Sequence, residues 1–369
     1  MQVVIRVDAS TRIGLGHLMR CRTLANALTA KGASVMFVTY RGQGHGIDLL
    51  RADEFNVHEL PAPEIKPVTD ADYAGWLGVP MTVDAKQTLA ALPDRVDWLV
   101  VDHYGLDAQW ETELRAQAQR IFVIDDLDNR AHDADVLLDQ NYSGPQTTRY
   151  DARVSDHCIK LLGPRFALLH PAFREYQLAK AAPGLSCEAI ERIFVFFGGT
   201  DPDNLTGRAL EALCASNLAH ISVDCVMGAN NPHRANLLGI AERRGNVRMH
   251  PPQPHLAALM AEADLAIGAG GATTWERCAL GLPSLVVSIA ENQRPACELL
   301  FEDGYIHYLG HHDAVTACDI AAAVHQLIDS ADQRRQLAKA SAQLVDGQGT
   351  QRVVDCMFSM VKGQSAACH

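Results

Sequence analysis

Short apolar runs rich in β-branched residues alternate along the chain with longer stretches whose apolar positions recur at i, i+3 and i+4. Strands separated by helical patterns of this kind predict a parallel α/β architecture. In the first half the strand candidates are QVVIRV (2–7), SVMFVTY (34–40), NVHEL (56–60), DWLVVD (97–102), RIFVID (120–125) and DVLLDQ (135–140). Helical spacing marks 17–31, 81–92 and 107–118 between them. Several of the strand runs are apolar throughout, as expected where helices cover both faces of a sheet.

Across 174–191 the pattern weakens and turns polar, and a second series then begins. Its strand candidates are RIFVFFGG (192–199), ISVDCVMG (221–228), NVRMH (246–250), DLAIGAGG (264–271), SLVVSI (284–289) and YIHYLG (305–310). Further helices fit near 313–328, 331–345 and 349–362. The prediction is two doubly wound, Rossmann-like α/β domains, at 1–175 and 188–348, joined near 172–190. Open parallel sheets bind ligands at the carboxyl ends of their strands. Two such domains facing each other would leave a cleft lined by the Gly-, Thr-, Asp- and Asn-rich turns found there, so those turns are where function is sought.

Composition narrows the partners. The 369 residues are 48% hydrophobic and 21% charged, with a formal net charge of −12 and a pI near 5.7. An acidic chain argues against a nucleic-acid or anionic-membrane partner, both of which demand a basic surface. A small anionic substrate stays open, because a local cluster of N–H groups can overrule net charge. Ten cysteines without a CxxC pair, no leader-like start and no apolar run of membrane-spanning length predict a cytoplasmic protein with reduced thiols.

Five strand-end turns carry candidate chemistry. In FFGGTDPDNLT (196–206) an apolar strand ends in Gly198, Gly199 and Thr200, with Asp203 or Asn204 placed to cap a helix. The turn is either a phosphate cradle or an ordinary strand-to-helix connection. The second, IGAGGATTWERCALGLP (267–283), repeats the design with Gly268, Gly270 and Gly271, then Thr273, Thr274 and Glu276. Glu276 either answers the helix dipole or accepts two hydrogen bonds from a ribose diol. A second glycine turn in the same domain favours a nucleotide. Asn292 and Gln293 in SIAENQRPA (288–296) are caps or contacts to sugar hydroxyls and acetamido groups. Asp102, His103 and Tyr104 cluster at another strand end, one or two of them necessarily structural. Finally, RVDASTRIGLGHLMRC (6–21) sets Gly14 and Gly16 before His17 at the mouth of a helix. There the dipole keeps an imidazole neutral and competent as a base, unless the residue is merely structural. GLGH is neither a dinucleotide fingerprint nor a P-loop, and no zinc spacing or GxSxG elbow is present.

Taken together, RVDASTRIGLGHLMRC, DHYGLD, FGGTDPDNLT and AGGATTWERCALGLPSLVVSIAENQ resemble the UDP-sugar hydrolases of pseudaminic acid biosynthesis. That family acts on UDP-2,4-diacetamido-2,4,6-trideoxy-β-L-altropyranose. The resemblance runs from the first residue to about residue 310. It implies a glycosyltransferase-B fold, similar to the MurG type, with the last helix (349–369) crossing back to the N-terminal domain. It further implies that His17 is the general base and that the glycines Gly14 and Gly16 let the substrate approach. Tyr104, Asn292 and Gln293 would contact the sugar. Gly271, Ala272, Thr273, Thr274 and Glu276 would hold pyrophosphate and ribose, with Gly199 and Thr200 opposite. The partner implied is a small-molecule UDP-sugar. No cofactor and no metal are expected, because no carboxylate pair stands near either glycine turn. Two rivals remain: a MurG-like glycosyltransferase using an acceptor other than water, and a non-catalytic nucleotide-sugar-binding protein. The acidic chain weighs against the first and His17 against the second.

Overall fold

The computed structural model describes residues 1–61, 69, 72–145, 148–180, 189–229 and 231–363. The chain divides into two compact units, Met1–Leu168 with Gly349–His369, and Leu169–Gln348. Each is built on one wholly parallel sheet.

In the first unit the strands are β1 (Gln2–Val7), β2 (Ser34–Tyr40), β3 (Asn56–Leu60), β4 (Trp98–Asp102), β5 (Ile121–Ile124), β6 (Val136–Asp139) and β7 (Ile159–Leu162). Their spatial order is β3-β2-β1-β4-β5-β6-β7. Alternate residues bury against opposite layers. Val3, Ile5, Val100 and Phe122 join one core, while Val4, Leu99, Val101 and Val123 join the other. This is why the strands read as continuous apolar runs.

The helices of this unit are α1 (Gly16–Ala30), α2 (Ile47–Ala52), α3 (Tyr73–Trp76), α4 (Met81–Ala91) and α5 (Ala108–Leu114). Leu18, Cys21, Leu24, Ala25 and Leu28 form the buried face of α1. The helix stops at Gly32, whose φ of +85° suits glycine. There the Ala33 N–H reaches Leu28 O at 3.0 Å and the Gly32 N–H reaches Thr29 O at 2.8 Å, a Schellman closure.

The second unit carries β8 (Arg192–Phe196), β9 (Ser222–Val226), β10 (Val247–His250), β11 (Leu265–Ala269), β12 (Ser284–Ser288) and β13 (His307–His311). Their order is β10-β9-β8-β11-β12-β13. Its helices begin with α6 (Pro171–Lys180), α7 (Leu205–Ala212), α8 (Arg234–Arg244) and α9 (Ala257–Ala261). They continue with α10 (Thr273–Ala279), α11 (Arg294–Glu302), α12 (Ala317–Asp329) and α13 (Ala331–Leu344). The last helix, α14 (Gly349–Val361), packs on α1 in the first unit. Trp98 Nε1 donates to Met357 O at 3.2 Å and Arg120 Nη2 to Met360 O at 2.8 Å.

Several elements differ from the pattern-based expectation, among them the short helices α2 and α3, which no helical spacing marked. The unit boundary falls at Leu168/Leu169, because α6, in the stretch read as a polar joint, packs on α9 and α10. Residues 181–188 of that joint lie outside the described residues. The edge strand β7 was absent from the prediction. It is four residues long, with Leu161 buried and Lys160 exposed, so it carries no long apolar run.

Candidate functional site

Both sheets reverse their strand order at one place, and ligands of open α/β sheets bind at such a switch point. In the first unit the reversal lies between β1 and β4, in the second between β8 and β11. The turns leaving those four strands hold most of the residues singled out from sequence.

In the first unit, the turn after β1 brings His17 in as the second residue of α1. Gly14 has a φ of +79°. A Cβ added at Gly14 or Gly16 would meet nothing within 4 Å, so the backbone there stands in open space. β4 ends at Asp102, and its Oδ1 lies 2.6 Å from His17 Nδ1. A carboxylate accepts only, so the proton belongs on Nδ1 and Nε2 is left as the basic nitrogen. Nε2 has no partner among the described residues.

Asp102 is itself clamped. Arg20, one helical turn beyond His17, donates from Nε to Oδ2 and from Nη2 to Oδ1, both at 2.7 Å. Burial disfavours the charge on Asp102, but the guanidinium of Arg20 and the imidazole of His17 outweigh it and hold the carboxyl well below the usual range. Arg20 Nη1 also reaches Asp126 Oδ2 at 2.8 Å, and the same oxygen accepts the Tyr104 hydroxyl at 2.8 Å. Tyr104 has thus spent its proton on Asp126 and presents its oxygen as an acceptor. Its ring meets the His17 ring edge-on, with centroids 4.6 Å apart.

His103 turns to the opposite side. Its Nδ1 accepts the Gly105 N–H at 3.0 Å and its Nε2 faces Asp8 at 3.5 Å. Asp8 and Asp84 pair with the buried Arg6. Burial lowers the His103 pKa to about 4, so it is a neutral structural residue.

In the second unit, the turn from β11 to α10 needs its glycines. A Cβ on Gly270 would lie 2.3 Å from Cys297 Sγ. On Gly268 it would lie 2.6 Å from Phe196 O. The amides of Gly271, Ala272 and Thr273 make no backbone hydrogen bond among the described residues. Gln293 packs beside them. Its Oε1 accepts the Ile289 N–H at 2.9 Å, and its Nε2 lies 3.3 Å from where a Cβ on Gly271 would stand. Neither Asn292 nor Gln293 bonds the start of α11 with its side chain, so the capping alternative falls away.

Glu276 has a buried Oε2 without a partner. Burial pushes its carboxyl up to about 7, against the pull of Arg277.

Two expectations are corrected here. Thr274 is 1% exposed and its hydroxyl is engaged by Ala269 O and Arg277 Nη2. Its N–H donates to Gly271 O, so Thr274 braces the turn and has no group to offer a ligand. The cap of α7 is neither Asp203 nor Asn204. The Asp201 carboxylate accepts the Leu205 and Thr206 N–H groups, each at 2.9 Å. That helix end is therefore already answered by a negative charge. What stays open beside it is Gly199, exposed, and Thr200, half-buried, with Gly199 O only 1.7 Å from where a Cβ on Gly228 would stand.

Sequence reading missed Arg20 and Asp126. The signal for the first was its i+3 spacing from His17, and for the second its place at the end of β5. Among the described residues, no group of three or more His, Cys, Asp or Glu could hold a metal ion. No helix there is long and apolar enough to cross a membrane.

No family model matches the chain. It is 24% identical to the spore coat polysaccharide biosynthesis protein SpsG of Bacillus subtilis, over 96% of each chain. It is also 24% identical to the UDP-2,4-diacetamido-2,4,6-trideoxy-β-L-altropyranose hydrolase of Campylobacter jejuni, over 83% of this chain and 98% of that protein. Among solved structures, MurG of Acinetobacter baumannii superposes with a TM-score of 0.65 at 14% identity, covering 97% of this chain and 99% of that one. The UDP-GlcNAc 2-epimerase of Neisseria meningitidis gives 0.61 at 13% identity, over 98% and 100%. The fold is thus the α/β fold of the glycosyltransferase-B class, and the chain resembles the hydrolase family that its four motifs pointed to.

Proposed function

We propose that this protein is a UDP-sugar hydrolase that transfers the sugar to water, with UDP-2,4-diacetamido-2,4,6-trideoxy-β-L-altropyranose as its substrate. The observation that carries the reading is the Asp102–His17 pair, which leaves a basic Nε2 without a partner among the described residues.

The second unit takes the nucleotide. The free amides of Gly271, Ala272 and Thr273, together with Gln293 Nε2, suit the oxygens of a diphosphate. Glu276 suits the ribose diol, and Gly199 and Thr200 on the neighbouring turn complete the contact. Thr274 contributes only by holding the turn.

The first unit supplies the chemistry. His17 Nε2 removes a proton from water as the water oxygen bonds to the anomeric carbon. The bond from that carbon to the phosphate oxygen breaks, its electron pair leaves with UDP, and the configuration inverts. Asp102 orients the ring and stabilises the imidazolium that forms. UDP needs no strong acid when its phosphates are held by donors. Tyr104, with its oxygen open as an acceptor, suits an acetamido N–H, and Asn292 offers a further sugar contact.

Incubation of the purified protein with the UDP-sugar alone tests this. Stoichiometric UDP and free diacetamido sugar are expected. Intact substrate, consumed only when a second sugar or lipid acceptor is added, would mark a transferase. Binding with no turnover under either condition would mark a sensor.

A further inference from the structure

One buried cation beneath the nucleotide turn makes no ion pair among the described residues, and the neighbouring Glu276 carboxyl acts on it only at longer range. Arg277 is 1% exposed. Arg6 and Arg20, both buried as well, each sit between two carboxylates. Arg277 instead meets only neutral acceptors: Ala269 O at 2.8 Å and Thr274 Oγ1 at 3.0 Å from Nη2, and Thr273 Oγ1 at 3.1 Å from Nη1. Its Nε has no partner among the described residues. A buried charge outside an ion pair costs free energy in the folded protein, and the cost is offset when an anion arrives.

The place of this charge is specific. The guanidinium lies directly under the turn, since a Cβ on Gly268 would stand 2.8 Å from Nη1. Ala269 O, which it holds, belongs to the residue just before Gly270. Thr273 Oγ1 accepts from Arg277, so its own proton must point elsewhere, and no acceptor for it exists among the described residues. That hydroxyl stands on the same turn as the three unused amides of Gly271, Ala272 and Thr273. The turn therefore offers four donors without acceptors, on top of a fixed positive charge.

We propose that Arg277 is the resident counter-charge of the nucleotide's diphosphate, acting from beneath the turn and through the Thr273 hydroxyl, which it polarises as a donor. Arg277 is a positioning residue that does not touch the ligand. The inference rests on the reading that a nucleoside diphosphate occupies this turn.

Calorimetry of the full-length protein with UDP and with uridine separates the two. Uridine keeps the base and ribose contacts and lacks the phosphates, so the ratio of the two affinities isolates the phosphate contribution. Arg277→Met should lower that ratio by about 10- to 100-fold, the scale of a lost charge-assisted interaction, with uridine affinity unchanged. Thr273→Val should lower it in the same direction, and Thr273→Ser should restore it. The Thr273 pair carries the test if Arg277→Met does not fold. Wild-type ratios in both Arg277→Met and Thr273→Val would overturn the role of Arg277. If the unsubstituted protein itself binds UDP no better than uridine, the nucleotide reading fails, and the inference with it.

Discussion

Replacing Asp102 with asparagine probes the proposed base without touching the nucleotide turn. The carboxylate takes four hydrogen-bond donors in the fold. Oδ1 faces His17 Nδ1 at 2.6 Å and Arg20 Nη2 at 2.7 Å, while Oδ2 faces Arg20 Nε at 2.7 Å and Cys21 Sγ at 3.3 Å. Arg20 Nη2 also approaches His17 Nδ1 itself, at 3.2 Å. An amide can satisfy only one side. With its oxygen toward Arg20 Nε, its NH2 group faces His17 and drives the proton to Nε2, which abolishes the base. With its oxygen toward His17, the tautomer survives, but the negative charge that stabilises the imidazolium is gone.

The second case sets the smaller loss. A charge-assisted hydrogen bond reduced to a neutral one is worth about 1.5–3 kcal/mol, or roughly 10- to 150-fold in kcat. The first sets the larger loss, about 10²- to 10⁴-fold, the whole value of general-base assistance and the same as expected for His17→Asn. UDP release under saturating substrate measures kcat, and calorimetry with UDP should show affinity unchanged. Thermal melting checks the fold, because Arg20 keeps Asp126 but loses its other partner. A folded Asp102→Asn protein with wild-type turnover would refute the role of the pair.

Two further outcomes follow from the second unit. Glu276→Ala should weaken UDP binding by about 1–3 kcal/mol, and unchanged affinity would remove Glu276 from the ribose. Because burial raises the Glu276 carboxyl from 4.5 to about 7, UDP affinity should climb as pH rises through 7, and Glu276→Gln should flatten that climb. The stability linkage has the opposite sign. The folded protein holds this proton more tightly than the unfolded chain, so the contribution is complete below the ordinary value and is lost as pH rises through about 7. Turnover should survive chelation by EDTA, since amide donors and Arg277 supply the positive potential a metal would otherwise bring. Activity lost to EDTA and restored by Mg²⁺ would contradict this.

Much of the fold was legible because parallel strands buried on both faces leave long apolar runs, as β1, β2 and β4 do. What escaped was short or polar. β7 is four residues long with one of them buried, and the REYQLAK pattern of α6 hides a helix whose buried side faces α9 and α10. In the site, His17 could be found from GLGH and Asp102 from its strand-end cluster, whereas their pairing could not. Asp102 is 85 positions from His17 and meets it only because β4 pairs with β1. The TDPDN loop misled for a backbone reason. Asp201 and Asn204 both take positive φ, which swings Asp201 over the start of α7 and leaves Asn204 unable to cap it. Thr273 and Thr274 are identical in sequence terms and both accept from Arg277, and only the helix phase decides which of the two is buried.

The two switch points share a topology and differ in charge, which bears on where water attacks. Around His17, Asp102 and Asp126 share the cation Arg20, and Arg149 reaches the backbone oxygen of Asp126 at 2.9 Å. A diphosphate brought against His17 would meet two carboxylates, whereas a neutral sugar carbon would not. As the bond to UDP stretches, that carbon gains oxocarbenium character, and the same carboxylates favour its positive charge. The α10 turn differs, with amides that make no backbone bond among the described residues lying over Arg277, and with Glu276 as the neighbouring carboxyl. In the proposed reaction the phosphate is held by the α10 turn and the carbon is attacked beside His17. Hydrolysis in ¹⁸O-water reads this directly. Attack at carbon places the label in the released sugar, and attack at phosphorus places it in UDP. We expect the label in the sugar with inverted configuration, seen by mass spectrometry and by NMR of the first-formed anomer. Label in UDP would falsify the assignment of His17 to carbon, because its base would then be working beside a phosphate that its own neighbours repel.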